Sequence, residues 1–501
     1  MITSTNPATG TVSDTGIAVT TTAQVAEITA AASAAFRVLR TSTREWRAGL
    51  LRALADGLEA DRANLTATAS AETGLAASPR LDGELTRSAF QLRLFAEAIE
   101  EGGYLEATID TAGDTPMGPG PDIRRMLVPI GPVAVFGSSN FPFAFSVPGG
   151  DTASALAAGN PVIAKAHGSH PLTSKASFEA LNSAALAYGA PAGTIGIVYG
   201  QEAGATLVAD PAIAAVGFTG SLATGRILLA IIEKRERPIP FYGELSSLNP
   251  LIISQGAVDT RAGALADGLF LSFTGSAGQL CTKPGIAFLP RGATGLVDAI
   301  VEKARDAAAQ PLLNSRILDA FGDIRGRLIA EGRATSLVEP QPGADGFTLT
   351  PAVLSIDAAD VTEAVSEEAF GPLLVVALYD DISEVTAALS AVPDSLTATV
   401  HAEDGEWDAL APLVADLEDR AGRLVFNGYP TGVRVSWGQH HGGPWPATNS
   451  AHTSVGVTAI RRFLRPLAWQ SAPAELLPVE LRDDFLAIPR RVDGVLTLGT
   501  P

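Results

Sequence analysis

From Pro132 onward the chain alternates short β-branched or apolar runs with longer alanine-rich stretches, and no other feature narrows its possible folds as far. The runs are 133–136, 162–165, 195–199 and 214–218, separated by the stretches 146–158, 172–188 and 202–209. Joining two parallel strands takes a crossover of a dozen or more residues, usually a helix. Strand and helix repeated at this spacing predict βαβ units in a parallel sheet. Cover on both faces explains why the runs are continuously apolar. A second series follows Asn249: strands at 251–254, 286–289, 373–378, 397–401 and 424–427, with helices at 261–273, 294–309 and 382–391. It predicts a second α/β domain. The first hundred residues read as helix, at 21–40 and 46–73, with an N-cap at Thr41–Ser42–Thr43. The tail 453–470 is apolar and basic together (Ile460, Arg461, Arg462, Phe463, Leu464, Arg465), which suits either a surface helix or an arm that docks on another subunit.

Composition limits what such a chain does. With 501 residues it holds two or three domains at roughly 100–200 residues each. Hydrophobic residues are 46% and charged residues 18%, which excludes a disordered chain. The net charge is −19 with no basic block, so neither nucleic acid nor an anionic membrane is expected as a partner. The only cysteine, Cys281, excludes an internal disulfide and a Cys-rich zinc site. No metal is expected, and the expected compartment is the cytoplasm. The first basic residue is Arg37, so no positively charged leader is expected. The uncharged run 126–150 carries Pro129, Pro132, Pro142, Pro148 and four glycines, which predicts buried strand and loop rather than a membrane helix.

No G-x-G-x-x-G fingerprint is present; Gly118–Pro119–Gly120 has Ile123 where a third glycine belongs. Gly220–Ser221–Leu222–Ala223–Thr224–Gly225 has P-loop spacing, but Arg226 and Ile227 follow instead of Lys and Ser/Thr. Nucleotide hydrolysis is therefore excluded. A strand, a Thr-Gly-Ser turn and a helix N-terminus remain. They suit a phosphate or a plain N-cap.

Six motifs in order give the chain its resemblance to the aldehyde dehydrogenase superfamily. They are Gly137–Ser138–Ser139–Asn140–Phe141–Pro142, Val162–Ile163–Ala164–Lys165, Phe218–Thr219–Gly220–Ser221, Gly243–Glu244–Leu245, Gly278–Gln279–Leu280–Cys281 and Glu367–Glu368–Ala369–Phe370–Gly371–Pro372. The resemblance spans nearly the whole chain. It implies an atypical Rossmann-like cofactor domain (1–110 and 130–246), a catalytic thiol domain (247–446) and a small β oligomerisation element with a C-terminal arm (111–129 and 447–501). It also implies a homodimer or homotetramer.

The residue chemistry agrees. Oxidising an aldehyde to an acid needs a nucleophile that makes a hydride donor of it; a thiolate does so through a thiohemiacetal and then a thioester. Cys281 is the only candidate. By resemblance, the Asn140 amide and the Cys281 N–H receive the oxyanion. Glu244 serves as general base for hydrolysis, and its apolar setting predicts a raised pKa. Relatives that pass the acyl group to coenzyme A usually lack this glutamate, so the resemblance implies hydrolysis to the free acid. The family's Glu-Leu-Gly-Gly is here Glu244–Leu245–Ser246–Ser247, a departure at the turn.

For the cofactor, the resemblance assigns Lys165 to the adenine ribose, Ser221 after Gly220 to a phosphate, Glu368 to the nicotinamide ribose and Phe370 to the nicotinamide. Relatives that prefer NAD commonly have a glutamate three residues beyond the lysine. This chain has Gly168, so Lys165 with Ser169 is expected to hold a 2′-phosphate, and NADP is expected at least as well as NAD. Lys165–Ala166–His167–Gly168–Ser169–His170–Pro171, Asn427–Gly428–Tyr429–Pro430–Thr431–Gly432–Val433 and His441–Gly442–Gly443–Pro444 resemble one branch. That branch holds 2,5-dioxopentanoate (2-oxoglutarate semialdehyde) dehydrogenases and NADP-dependent fatty-aldehyde dehydrogenases. The loop 433–444 is expected to line the substrate tunnel. Arg434 either pairs with a substrate carboxylate or is a solvated arginine. Phe141, Phe143 and Phe145 form either a tunnel wall or core. His441 either tunes Cys281 or is held by the backbone. A cysteine hydrolase built on Cys281, His441 and an Asn is the rival enzyme class, but it leaves Gly220, Glu368 and Phe370 without a role.

Overall fold

The computed structural model describes residues 1–499. A five-stranded, all-parallel sheet runs in the order Phe241–Glu244, Ala215–Thr219, Val133–Phe136, Val162–Lys165, Ile195–Val198. The strand that comes first in sequence lies at the centre. The chain winds outward on one side and then returns to the other, so the connections diverge between Val133–Phe136 and Ala215–Thr219. Such a switch point opens a crevice beyond the carboxyl ends of the strands.

Alternate side chains of each strand serve opposite faces, and both faces are buried. Val133, Val135, Val162 and Ala164 pack against the helices Arg44–Ala60, Asp82–Glu101 and Pro171–Tyr188. Ala134, Phe136, Ile163 and Val216 pack against Thr22–Leu39, Gln201–Ala209 and Leu222–Glu233. That is the physical origin of the continuous apolar runs. The expected helix 46–73 is two helices, Arg44–Ala60 and Arg62–Thr73, broken at Asp61; the Thr43 side chain caps the first by accepting from the Trp46 N–H.

A seven-stranded sheet runs Thr335–Val338, Ala352–Asp357, Leu373–Tyr379, Ile286–Pro290, Leu251–Ile253, Ala398–His401, Leu424–Phe426. All its pairs are parallel except Thr335–Val338 with Ala352–Asp357. Those two strands and the helices Ser315–Ala330 and Trp407–Arg420 are absent from the sequence reading. The helix expected at 261–273 is Gln255–Thr274, starting earlier and interrupted at Arg261.

The tail is not a surface helix. After a 3₁₀ turn, Val457–Phe463, it becomes the strand Leu464–Gln470, paired antiparallel along its length with Ile123–Pro129. Thr108–Asp110, Arg490–Val492 and Val495–Thr497 complete this third sheet. Two of the basic residues have partners: Arg462 is buried on Asp151 and the Tyr242 carbonyl, and Arg461 pairs with Glu106. The uncharged run 126–150 is strand and loop, and no helix among the described residues is long and apolar enough to cross a membrane.

Candidate active site

The crevice of the first sheet is walled by the loop that carries Cys281. Glu244 ends the edge strand, beside Thr219. Asn140 lies in the loop after the central strand Val133–Phe136, and Lys165 ends the neighbouring strand. Cys281 follows the turn Gly275–Gly278, where Ser276, Ala277 and Gly278 all have left-handed φ values of 53°, 56° and 66°. Such a run is costly for non-glycine residues and survives only where surroundings enforce it. At Gly278 the surroundings also exclude a side chain, because a Cβ would lie 2.3 Å from the Gly371 carbonyl oxygen. This close approach joins the thiol loop to the Glu368–Phe370 loop.

Three reactive groups meet. Cys281 Sγ is 3.6 Å from His441 Nε2, which is 3.1 Å from Glu244 Oε1. Ser454 Oγ donates to Glu244 Oε2 at 3.0 Å and so fixes the other oxygen. Asn140 Nδ2 donates to the Gln279 carbonyl at 2.8 Å, which anchors it two residues from the nucleophile and leaves its second N–H unspent. Asn249 Nδ2 donates to the Cys281 and Lys283 carbonyls at 2.8 and 2.9 Å and pins the loop from the other side.

Burial and the Glu244 charge push the Cys281 thiol well above its ordinary range. Glu244 departs from expectation. Burial alone pushes its carboxyl up, but the His441 charge and hydrogen bonds from His441, Ser454 and Cys281 outweigh it and hold the group below the usual carboxylate value. Glu368 is the carboxyl that burial raises. Its Oε2 accepts from Ser246 Oγ at 2.7 Å and from the Ser247 N–H at 3.0 Å, so the two serines at the turn have a definite task. Its Oε1 accepts no bond among the described residues. Phe370 is half-buried two residues on.

The cofactor positions divide. Lys165 Nζ has no acceptor or counter-ion among the described residues, and burial and nearby Arg316 both lower its pKa. The Ser221 hydroxyl accepts from the Thr224 N–H and caps Leu222–Glu233, with Gly220 beside it at that helix start. Ser169 is buried, and its hydroxyl accepts from Asn314 Nδ2 at 2.9 Å. That bond ties it to the start of the helix Ser315–Ala330 and leaves its own O–H to donate, and Arg316 is a second cation near Lys165.

The proposed tunnel residues also divide. Phe141 and Phe145 meet edge to face at 5.3 Å, and Phe145 lies 5.9 Å from the His441 ring. Phe143 is not part of that wall; it is fully buried in the core. Arg434 does not join the site. Val433 and Val435, on either side of it, pack inward with Leu94 and Ala98, so the intervening side chain is exposed, without hydrogen bond or ion pair among the described residues. Ser454, Asn249, Lys283 and Arg87 escaped the sequence reading. Only their approach to Cys281, Glu244 or Glu368 in space marks them. Glu244, Cys281 and His441 also have the ligand types a metal uses, with all three donor atoms within 4.8 Å of one another.

This arrangement supplies a nucleophile, an acid–base pair, an amide donor and a crevice with an unpaired cation. Comparisons with known proteins agree. The model of the aldehyde dehydrogenase family matches residues 1–444. Alpha-ketoglutaric semialdehyde dehydrogenase 2 of Azospirillum brasilense is 42% identical over 486 residues, covering 92% of this chain and 89% of that one. Its counterpart from Acinetobacter baylyi is 40% identical over 489 residues, covering 95% and 91%. Among solved structures, an aldehyde dehydrogenase mutant of Pseudomonas syringae superposes with a TM-score of 0.81 at 24% identity, over 95% of this chain and 94% of that one. That last likeness shows the shared fold. Motif order, family match and the relatives' coverage converge: the chain belongs to the aldehyde dehydrogenase family.

Proposed function

We propose that the enzyme oxidises 2,5-dioxopentanoate to 2-oxoglutarate through Cys281, with water rather than coenzyme A as the acyl acceptor and with NADP used at least as well as NAD. The observation that carries this is Glu244 within hydrogen-bond reach of His441 beside Cys281, in a chain 42% identical to a dehydrogenase named for this aldehyde. Cys281 attacks the aldehyde carbon as His441 Nε2, 3.6 Å from Sγ, takes the thiol proton, and the oxyanion meets the unspent Asn140 N–H and the Cys281 backbone N–H. A bound nicotinamide dinucleotide supplies the hydride acceptor. Water then cleaves the Cys281 thioester; Glu244, already ionised, takes a proton from it, and His441 lies where it passes a proton to the departing sulfur. Lys165, the helix start at Ser221, and the free Oε1 of Glu368 are suited to the cofactor's ribose and phosphate groups, and Phe370 to its ring.

Lys165 with Arg316 forms a pair of cations without a carboxylate, which suits a 2′-phosphate. A Cβ at Gly168 would meet nothing within 4 Å, so a larger residue fits there. Gly168→Glu is expected to shift the NADP-to-NAD ratio of kcat/KM toward NAD by about tenfold or more, by like-charge repulsion of the phosphate. An unchanged ratio would remove this position from cofactor choice.

The decisive assay follows NADP reduction without coenzyme A, with 2,5-dioxopentanoate in one arm and medium and long aliphatic aldehydes in the other. A large kcat/KM advantage for the dioxo acid is expected. An advantage for the aliphatic aldehydes would instead support a second reading, a fatty-aldehyde dehydrogenase whose tunnel wall is Phe141 and Phe145. We also infer a homo-oligomer in the cytoplasm, assembled through the third sheet, with the cofactor, thiol and oligomerisation regions divided as the motifs indicate.

A further inference from the structure

Arg87 has no hydrogen-bonding partner among the described residues. It projects from Asp82–Glu101, and its Nε, Nη1 and Nη2 are all sealed from solvent without an acceptor among the described residues. Its guanidinium carbon lies 5.0 Å from the centre of the Phe145 ring. Burial works against its charge, and Glu84, Cys281 and Glu244 are the acidic groups near enough to oppose that effect.

The neighbouring groups are all committed elsewhere. Glu84 Oε2 binds Arg80, and its Oε1 accepts from the Phe143 and Ala144 N–H groups at 2.8 Å each. Arg80 spends its nitrogens on Glu84, Ser276 Oγ and the Asn140 carbonyl. Arg423, whose charge also interacts with Cys281, donates to the Pro430 and Gly432 carbonyls as a loop clasp. Among these three arginines only Arg87 has a full set of unspent donors. A buried guanidinium without an anion is destabilising, so a missing anion is the simplest account of it.

We propose that Arg87 binds the carboxylate of the substrate, and so selects aldehydes that carry an acid group a few carbons from the reacting carbon; this rests on the aldehyde-acid reading above. Phe145 links the two ends. Its ring centre is 5.0 Å from the guanidinium carbon and 5.9 Å from the centre of the His441 ring, whose Nε2 is 3.6 Å from Cys281 Sγ. A five-carbon oxo acid is about 5 Å long between its terminal carbons. With its aldehyde at Cys281, its chain runs along Phe145 toward Arg87. In the free protein the aromatic face stands in for the anion. Rotation of the terminal side-chain dihedrals turns the guanidinium off the ring to grip the carboxylate in two-pronged fashion. The role first considered for Arg434 falls to Arg87.

The test compares wild type, Arg87→Met and Arg87→Lys on 2,5-dioxopentanoate and on pentanal, an uncharged aldehyde of the same length. Arg87→Met is expected to lower the dioxopentanoate-to-pentanal ratio of kcat/KM by about 100-fold, mainly through KM, as for a lost hydrogen-bonded charge pair. Arg87→Lys keeps part of the ratio, since it retains charge but loses the fork. Glutarate raises the Tm of wild type and not of Arg87→Met. Without ligand, the Arg87→Met Tm equals or exceeds that of wild type, the reverse of what a purely structural arginine predicts. A ratio that stays within about threefold, or a lowered Tm with equal loss on both aldehydes, overturns the proposal. If wild type instead favours succinic semialdehyde over butanal and Arg87→Met loses that preference, the 2,5-dioxopentanoate reading fails while Arg87 stands. If wild type favours no acid-bearing aldehyde, Arg87 has no such role.

Discussion

Glu244 is buried yet ionised, because His441, Ser454 and Cys281 surround it with a charge and donors that outweigh its desolvation. The same negative charge disfavours the thiolate of Cys281. Replacing Glu244 by Gln therefore has two opposite effects. Iodoacetamide alkylation of Cys281 at about pH 7.5 is expected to speed up about 3–10-fold as the thiol pKa falls. Steady-state turnover is expected to drop by about 10²–10⁴, the usual share of a general base, with one equivalent of reduced nicotinamide cofactor formed in a burst. A slower alkylation would show that Glu244 activates the thiol instead. Ser246 is a second case. It stands where the family pattern has glycine, and its hydroxyl holds one oxygen of Glu368. Ser246→Gly removes a charge-assisted bond worth about 1.5–3 kcal/mol. It is expected to raise the cofactor KM roughly tenfold, measured by initial rates, with little effect on alkylation of Cys281.

At the scale of elements, the thiol loop is joined to the Glu368–Phe370 loop through Gly278 and through Lys283. Lys283 Nζ donates to the Ala369 and Leu373 carbonyls at 3.1 and 3.0 Å, and burial lowers its pKa to about 8, against the partial opposition of Glu368. The unfolded chain keeps the ordinary lysine value of 10.5. Between the two values the unfolded state binds more protons, so this group makes the fold more stable as pH rises through that window. The contribution is on the order of 3 kcal/mol. Denaturant unfolding at several pH values checks it: wild type gains stability relative to Lys283→Met from pH 8 to pH 10.5. Parallel curves would disprove the coupling. The helix Pro171–Tyr188 shows another long reach. Both oxygens of buried Glu72 accept from the Leu172 and Thr173 N–H groups at its start, a cap that no local residue supplies.

For the whole molecule, two sheets of different order meet at one crevice, and a third shares the core of the first through Ile109, Leu127 and Leu464. The third sheet ends in Val495–Thr497, where Val495 and Leu496 are 64% and 56% exposed beside Leu498 at 79%. An apolar edge of this kind is a liability unless another chain covers it. Leu496→Glu is expected to lower the mass measured by light scattering from oligomer toward monomer. A single unchanged mass would place the subunit contact elsewhere.

By itself the sequence determined four strands of the first sheet and five of the second, since strands buried on both faces must be continuously apolar and their helices must fill long crossovers. It also picked out Cys281, Glu244 and Asn140, because their motifs stand in order along the chain, and left His441 open between tuning Cys281 and a hold by the backbone. It left Thr335–Val338 unread because an antiparallel edge strand follows no βαβ spacing. It left the tail open because Leu464–Gln470 is a strand only by virtue of its partner Ile123–Pro129, over three hundred residues earlier. Tertiary structure alone decided the charges. A carboxyl's titration depends on what surrounds it, so Glu244 sits low and Glu368 high. It also decided which arginine faces the nucleophile: Arg434, next to the tunnel in sequence, turns to solvent between two inward valines, while Arg87, far away in sequence, reaches the site from a helix with its donors unspent.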